Sequence, residues 1–177
     1  MEALTYQAIS TRAKLTVAAP AYHFGSIDGL IAATQDRLFT VSRDRYREIL
    51  SSLPTAPRDL GELVNFTSAI FLREVTEFAA INRATYAIWL EAARFPSLRR
   101  SVAHAILTIQ TAWTARTRAI NPAANDTNGL AALALYIGKL IRITSTGSRT
   151  SDLACVHAEF YVGLKAITGR SEAGTFF

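Results

Sequence analysis

Apolar residues recur along the chain at intervals of three and four, and no sustained alternation of apolar and polar positions interrupts them. That period belongs to amphipathic helices rather than half-buried strands, so the pattern predicts an all-α protein. A first short helix is predicted from Leu4-Thr5 to about Ala13, with Thr5 as its cap. After a turn at Lys14-Leu15-Thr16, Thr16 is placed to cap a second short helix, Val17 to about Phe24. Gly25-Ser26 separates it from a long third helix, Ile27 to Leu53, carrying Leu30, Ile31, Leu38, Val41, Ile49 and Leu50.

Beyond the Pro54–Pro57 break, the same period predicts helices over about Arg58–Ala80 and Asn82–Arg94. A third begins after Phe95-Pro96-Ser97, where Pro96 favours a helix start, and runs over Leu98–Ile120. Its Val102, Ile106, Ile109 and Trp113 are spaced by 4, 3 and 4 residues. Two more helices follow, about Thr127–Thr144 and Asp152–Thr168, and residues 169–177 read as a frayed end.

Length and charge narrow the classes. At 177 residues the chain suits one domain or one domain with a small appendage. Only 19% of residues are charged, which leaves apolar surface for a partner. The net charge of +5 permits an acidic partner without requiring one. The longest uncharged helical stretch, Ser101–Ala115, is 15 residues and holds polar side chains, too short to span a bilayer. No signal peptide is visible after Met1, and Cys155 is the sole cysteine. The expectation is a cytoplasmic protein with no membrane partner.

Two short helices joined by a tight turn and followed by Tyr-His-Phe-Gly-Ser form a helix-turn-helix layout. Val17, Ala18 and Ala19 are small enough to approach a major groove closely and touch thymine methyls. Thr5, Thr16 and Tyr22 are suited to phosphates, and Gln7 to a base edge or a phosphate.

The segment Leu4–Ile31 resembles the DNA-binding segment of the TetR-like (TetR/AcrR) transcriptional regulators. The matching features are Thr5, Ile9, Ala13, Thr16, Ala19-Pro20, His23-Phe24, Gly25-Ser26 and Gly29-Leu30. Trp89–Arg99 also looks like that family's helix–Pro–helix junction. The resemblance adds His23 to the DNA-facing set; by itself His23 reads as a helix-end residue packed under the turn.

The chain departs from the family pattern in three places. It lacks the family's first helix, and Ala21 and Ile27 stand where Tyr and Lys are usual. Residues 1–52 carry six basic and five acidic side chains, and the second short helix has no Arg or Lys. The head is therefore expected to bind DNA weakly, with Ile9, Phe24 and Leu30 short of a packing partner.

The resemblance divides the chain into a helix-turn-helix segment, residues 1–32, and a helical effector-binding and dimerisation domain, residues 33–177. Large side chains on the helices of residues 58–120 point to a mostly apolar cavity lined by some of Phe66, Ile70, Tyr86, Trp89, His104 and Trp113. The implied partners are a double-stranded DNA operator, a hydrophobic small-molecule effector and a second copy of the chain.

The 3-4-4-3 seam Leu153, Val156, Phe160, Leu164, Ile167, beside Leu133 and Ile137, is expected to form a homodimer interface. His104 otherwise reads as a buried core histidine. Cys155 and His157, two apart on one helix, point to different faces and do not make a metal pair. With no nucleophile elbow or phosphate loop, neither an enzyme nor a cofactor is expected. The two functional expectations are a ligand-responsive repressor and a helical ligand-binding or interaction dimer with a degraded DNA head.

Overall fold

A computed structural model describes residues 5–51, 56–146 and 153–169. Among them all regular structure is helical: α1 (Tyr6–Ala13), α2 (Ala18–Phe24), α3 (Ile27–Ser51), α4 (Leu60–Thr76), α5 (Ala79–Glu91), α6 (Pro96–Ile120), α7 (Asp126–Thr146) and α8 (Leu153–Thr168). The fold is all-α. The expected break at Pro54-Thr55, most of the Ser145–Ser151 loop and the frayed end beyond Gly169 lie outside the described residues.

Local chemistry sets the boundaries. Thr5 caps α1, its Oγ1 accepting from the Ala8 amide at 3.2 Å, and α1 ends on Lys14 in the left-handed region at φ 55°. The expected Thr16 side-chain cap is not formed. The backbone carbonyl of Thr16 accepts from the Ala19 amide instead, and α2 begins at Ala18. Gly25, at φ 70°, closes α2 in a conformation that side chains disfavour.

The predicted helix Arg58–Ala80 is shorter, because Asp59 caps its start and Glu77-Phe78 separates α4 from α5. Pro96 stands at the head of α6 as expected, and Arg99 reaches back to the carbonyls of Ala92 and Ala93 beyond the end of α5.

The main core lies between α4, α6, α7 and α8, around Leu63, Phe71, Trp113, Tyr136, Leu140, Phe160 and Leu164. Phe71 meets Tyr136 and Phe160 edge to face, with ring centroids 5.7 and 5.2 Å apart, a favoured geometry for aromatic pairs. A smaller core joins α3, α5 and α6 through Ala92, Leu98, Val102, Ile31 and Trp89. Helices α6 and α7 approach tightly at Gly129, where a Cβ would lie 2.7 Å from the Thr114 amide nitrogen.

Position 32, the expected domain boundary, falls inside α3. One continuous helix therefore belongs both to the N-terminal head and to the body.

Candidate functional site

A cavity of about 540 Å³ lies between α3, α4, α5, α6 and α7. Its volume is within the ~300–1,000 Å³ typical of small-molecule sites. Five of the six candidate ligand residues line it: Phe66 and Ile70 from α4, Tyr86 and Trp89 from α5, and Trp113 from α6. Tyr86 and Trp89 meet edge to face at 5.6 Å.

His104 does not line the cavity. The inward face of α6 runs through Leu98, Val102, Ala105 and Trp113, and His104 falls to the side of it, exposed, with its ring 6.0 Å from that of Phe39. It is neither a cavity residue nor a buried core histidine.

The polar part of the wall comes chiefly from residues that the periodicity did not single out. Arg45 of α3 and Asn82 of α5 reach the cavity, and behind them Glu74 of α4 is wholly buried. Nη2 of Arg45 lies 2.9 Å from each carboxylate oxygen of Glu74. Nδ2 of Asn82 donates to the Glu74 side chain at 2.6 Å and to its backbone carbonyl at 2.9 Å. The Arg45 guanidinium also lies over the Phe78 ring, 4.4 Å from its centroid.

Burial pushes the Glu74 carboxyl above the ordinary carboxylate range, opposed by the charge of Arg45 and the hydrogen bond from Asn82. The network joins α3, α4 and α5 at one point of the cavity wall. A sequence signal existed: Glu74 continues the buried positions 63, 64, 67, 70 and 71, and Gln35 and Arg45 fall on the face of α3 that carries Ile31 and Phe39. A polar residue at a core position is the informative exception.

Gln35 is 1% exposed and lines the cavity, and its Oε1 has no hydrogen-bond partner. The indole Nε1 of Trp89 is likewise buried without one. Three arginines line the cavity, Arg43, Arg45 and Arg116, and no carboxylate does among the described residues. Nη1 of Arg116 donates to the Ala112 carbonyl at 2.8 Å and the guanidinium lies over Phe66. Arg43 pairs with Asp44 on the surface.

The eight candidate DNA-facing residues occupy α1, α2 and the turn between them, with Thr5 at the cap. Thr5, Gln7, Thr16, Val17, Ala18, Tyr22 and His23 are exposed and Ala19 is half-buried. Tyr22 is 85% exposed, the most open of the large apolar side chains among the described residues. His23 does not pack under the turn; it is exposed, its ring 5.3 Å from that of Tyr22. Gly29 of α3 sits against the carbonyl of Phe24, so a Cβ there would collide with the end of α2. Leu15 and Phe24 are exposed and Ile9 and Leu30 half-buried, leaving the head's apolar side partly uncovered.

No protein-family model, curated protein or solved structure matches the chain.

The seam expected to join two copies is used within one. Leu133, Val156, Phe160 and Leu164 are buried in the chain's own core, where α8 packs against α4 and α7. Ile137 is half-buried against that core and lines the cavity. The Leu153 side chain lies outside the described part. A heptad-like seam specifies that a helix has a partner, not whether the partner belongs to another chain.

The outward faces of α7 and α8 are made by other residues: Leu130, Ala131, Ala134, Gly138 and Ile141 on α7, and Ala158, Tyr161 and Val162 on α8. Cys155 is exposed, and the His157 ring nitrogen Nε2 lies 2.8 Å from Oδ1 of Asn65, tying α8 to α4. No helix among the described residues is long and apolar enough to cross a membrane.

Proposed function

We propose that the chain is a ligand-responsive DNA-binding transcriptional regulator of the TetR type, a repressor, working as a homodimer. The observation that carries the reading is the continuity of α3. It starts at Ile27, where α2 abuts Gly29, and the same helix lines the cavity with Gln35, Phe39 and Arg45. A ligand that favours one position of α3 thereby favours one position of the head, and the equilibrium shifts by the ligand's differential affinity for the two positions.

The exposed DNA-facing residues form the reading surface. The outward apolar faces of α7 and α8, rather than the buried seam, supply the contact between copies: Ile141 and Val162 are 40% and 69% exposed.

The test is selection of genomic fragments by the purified chain, followed by anisotropy titration of the enriched fragment at several salt concentrations. The expected result is a palindromic site with half-sites about one helical turn apart or a multiple of it. Weak affinity and a shallow salt slope are expected, since the head carries few cations.

A second reading, a helical ligand-binding dimer whose head no longer reads DNA, is favoured by α2, which has no Arg or Lys, and by the uncovered Leu15 and Phe24. Ligand binding without enrichment of any DNA site would select it.

A further inference from the structure

We infer that the cavity takes an amphipathic anion, an apolar or aromatic body bearing one carboxylate, and that Arg116 receives the carboxylate. This rests on the reading of the cavity as an effector site. On α6 the cavity-lining residues Ile109, Ala112, Trp113 and Arg116 recur at i, i+3, i+4 and i+7, so one face of the helix turns toward the space. The first three are apolar or aromatic. Arg116 ends the row as a cation, and its side chain is half-buried rather than sealed from water.

The guanidinium is held where it stands. It lies over the Phe66 ring, 5.0 Å from the centroid, and its Nη1 donates to the Ala112 carbonyl at 2.8 Å. Phe66 and Ala112 both line the cavity. A planar guanidinium steadied by an aromatic ring is already oriented, so less side-chain freedom is lost when it meets a carboxylate. The Ala112 carbonyl also serves the helix's own i→i−4 ladder, so it stays paired if the guanidinium turns to a ligand.

The charges of the wall choose the sign of the ligand. Three arginines line the cavity, and no carboxylate does among the described residues. Arg45 is matched by Glu74, buried behind the wall. Arg43 pairs with Asp44 where both side chains are open to solvent, and a charge placed there is well screened. Arg116 stands against apolar surface, where screening is weaker and a charge-assisted bond stronger. A cation would enter a wall that carries guanidinium groups without a carboxylate. A neutral apolar ligand would take water from Arg116 and give nothing in return.

The test uses three probes of nearly one shape: 2-naphthoate, 2-naphthamide and 2-naphthylmethylammonium. Binding to the full chain is followed by calorimetry at low and high salt. Naphthoate should bind about ten- to a hundredfold tighter than naphthamide, as for a hydrogen bond to a charged group, with the ammonium weakest. Arg116→Met should erase most of that preference and leave naphthamide's affinity nearly unchanged, which also shows that the cavity keeps its shape. Arg116→Gln gives the same comparison should the Met variant unfold. Arg116→Lys, which keeps the charge without the fork, should fall between. Arg43→Gln should cost naphthoate less than about threefold, a cost that vanishes at high salt.

Naphthoate binding no tighter than naphthamide overturns the assignment while the cavity reading stands. So does a preference that survives loss of Arg116, or a larger loss in Arg43→Gln than in Arg116→Met. Ala112→Trp, which fills the cavity, should weaken naphthoate and naphthamide alike. Failure of both probes on the parent chain, or binding insensitive to Ala112→Trp, overturns the cavity reading itself.

Discussion

Replacing Arg45 by Met removes the ion partner of a carboxylate that has no access to water. Glu74 is wholly buried, and apart from Arg45 its side chain keeps the hydrogen bond from Asn82 at 2.6 Å. Breaking a buried pair by removing one member costs about 3–5 kcal/mol, because a charge is left uncompensated. The surviving Asn82 bond sets the expectation at about 3 kcal/mol, the lower end of that range. For a chain of this size that is a fall of about 6–12 °C in melting temperature.

The double variant Arg45→Met/Glu74→Leu removes both charges and leaves apolar groups of similar volume. It should lie within about 1 kcal/mol of the parent, since whole buried pairs are often replaced at little cost. Without Arg45 the carboxyl, already raised by burial, rises further. Between the unfolded and folded values the native state then binds more protons than the unfolded state, so stability falls as pH rises through that window. The defect of Arg45→Met should therefore shrink from pH 8 to pH 5, by at most about 1.4 kcal/mol per pH unit.

The assay is urea unfolding of the parent, both single variants and the double at several pH values. If the losses in Arg45→Met and Glu74→Leu simply add in the double, and neither varies with pH, the two side chains do not act as a buried pair and the reasoning fails.

Three further outcomes follow from particular contacts. Gly129→Ala sets a Cβ against the backbone of Thr114 and should destabilise the chain by about 1–3 kcal/mol, as overpacked sites do; an unchanged urea midpoint would show that α6 and α7 separate freely. Gly29→Ala meets the Phe24 carbonyl and should weaken DNA binding while ligand affinity stays close to the parent's, which titration of each partner separately reads out. Ile141→Glu with Val162→Glu places charges on the outward faces of α7 and α8 and should give a well-folded monomer by sedimentation. The same substitution at the buried Phe160 should unfold the chain instead.

The helices were legible because their apolar periods are long and their punctuation is strong: Pro96, Gly25 and the Thr5 cap fall where the local chemistry requires. The boundary between α4 and α5, expected between Ala80 and Asn82, lies earlier, at Glu77-Phe78, which contains neither Gly nor Pro to mark it. The cavity was legible from the density of large side chains at helical spacing, which placed Phe66, Trp89 and Trp113 together. His104 was misplaced because its neighbours Ala103 and Ala105 are apolar in sequence yet lie on different sides of α6. The Leu153–Ile167 seam misled for a related reason: periodicity fixes which face of α8 is covered but carries no information about what covers it. Gln35, Arg45 and Glu74 each stand as a polar residue in an apolar register, a signal that a search for regularity passes over.

The length of α3 turns a small movement into a larger one. The helix is held near its far end by the Arg45–Glu74 pair, which makes that point a natural fulcrum. At about 1.5 Å per residue, Gln35 lies about 15 Å from Arg45 and Ile27 about 27 Å from it. For a stiff helix, a sideways step at Gln35 is thus magnified about 1.8-fold at Ile27, where α2 is attached. On the proposed effector reading, a shift of one bond length beside the ligand arrives at the head as more than two ångströms, several times the range of about half an ångström over which a hydrogen-bond distance varies.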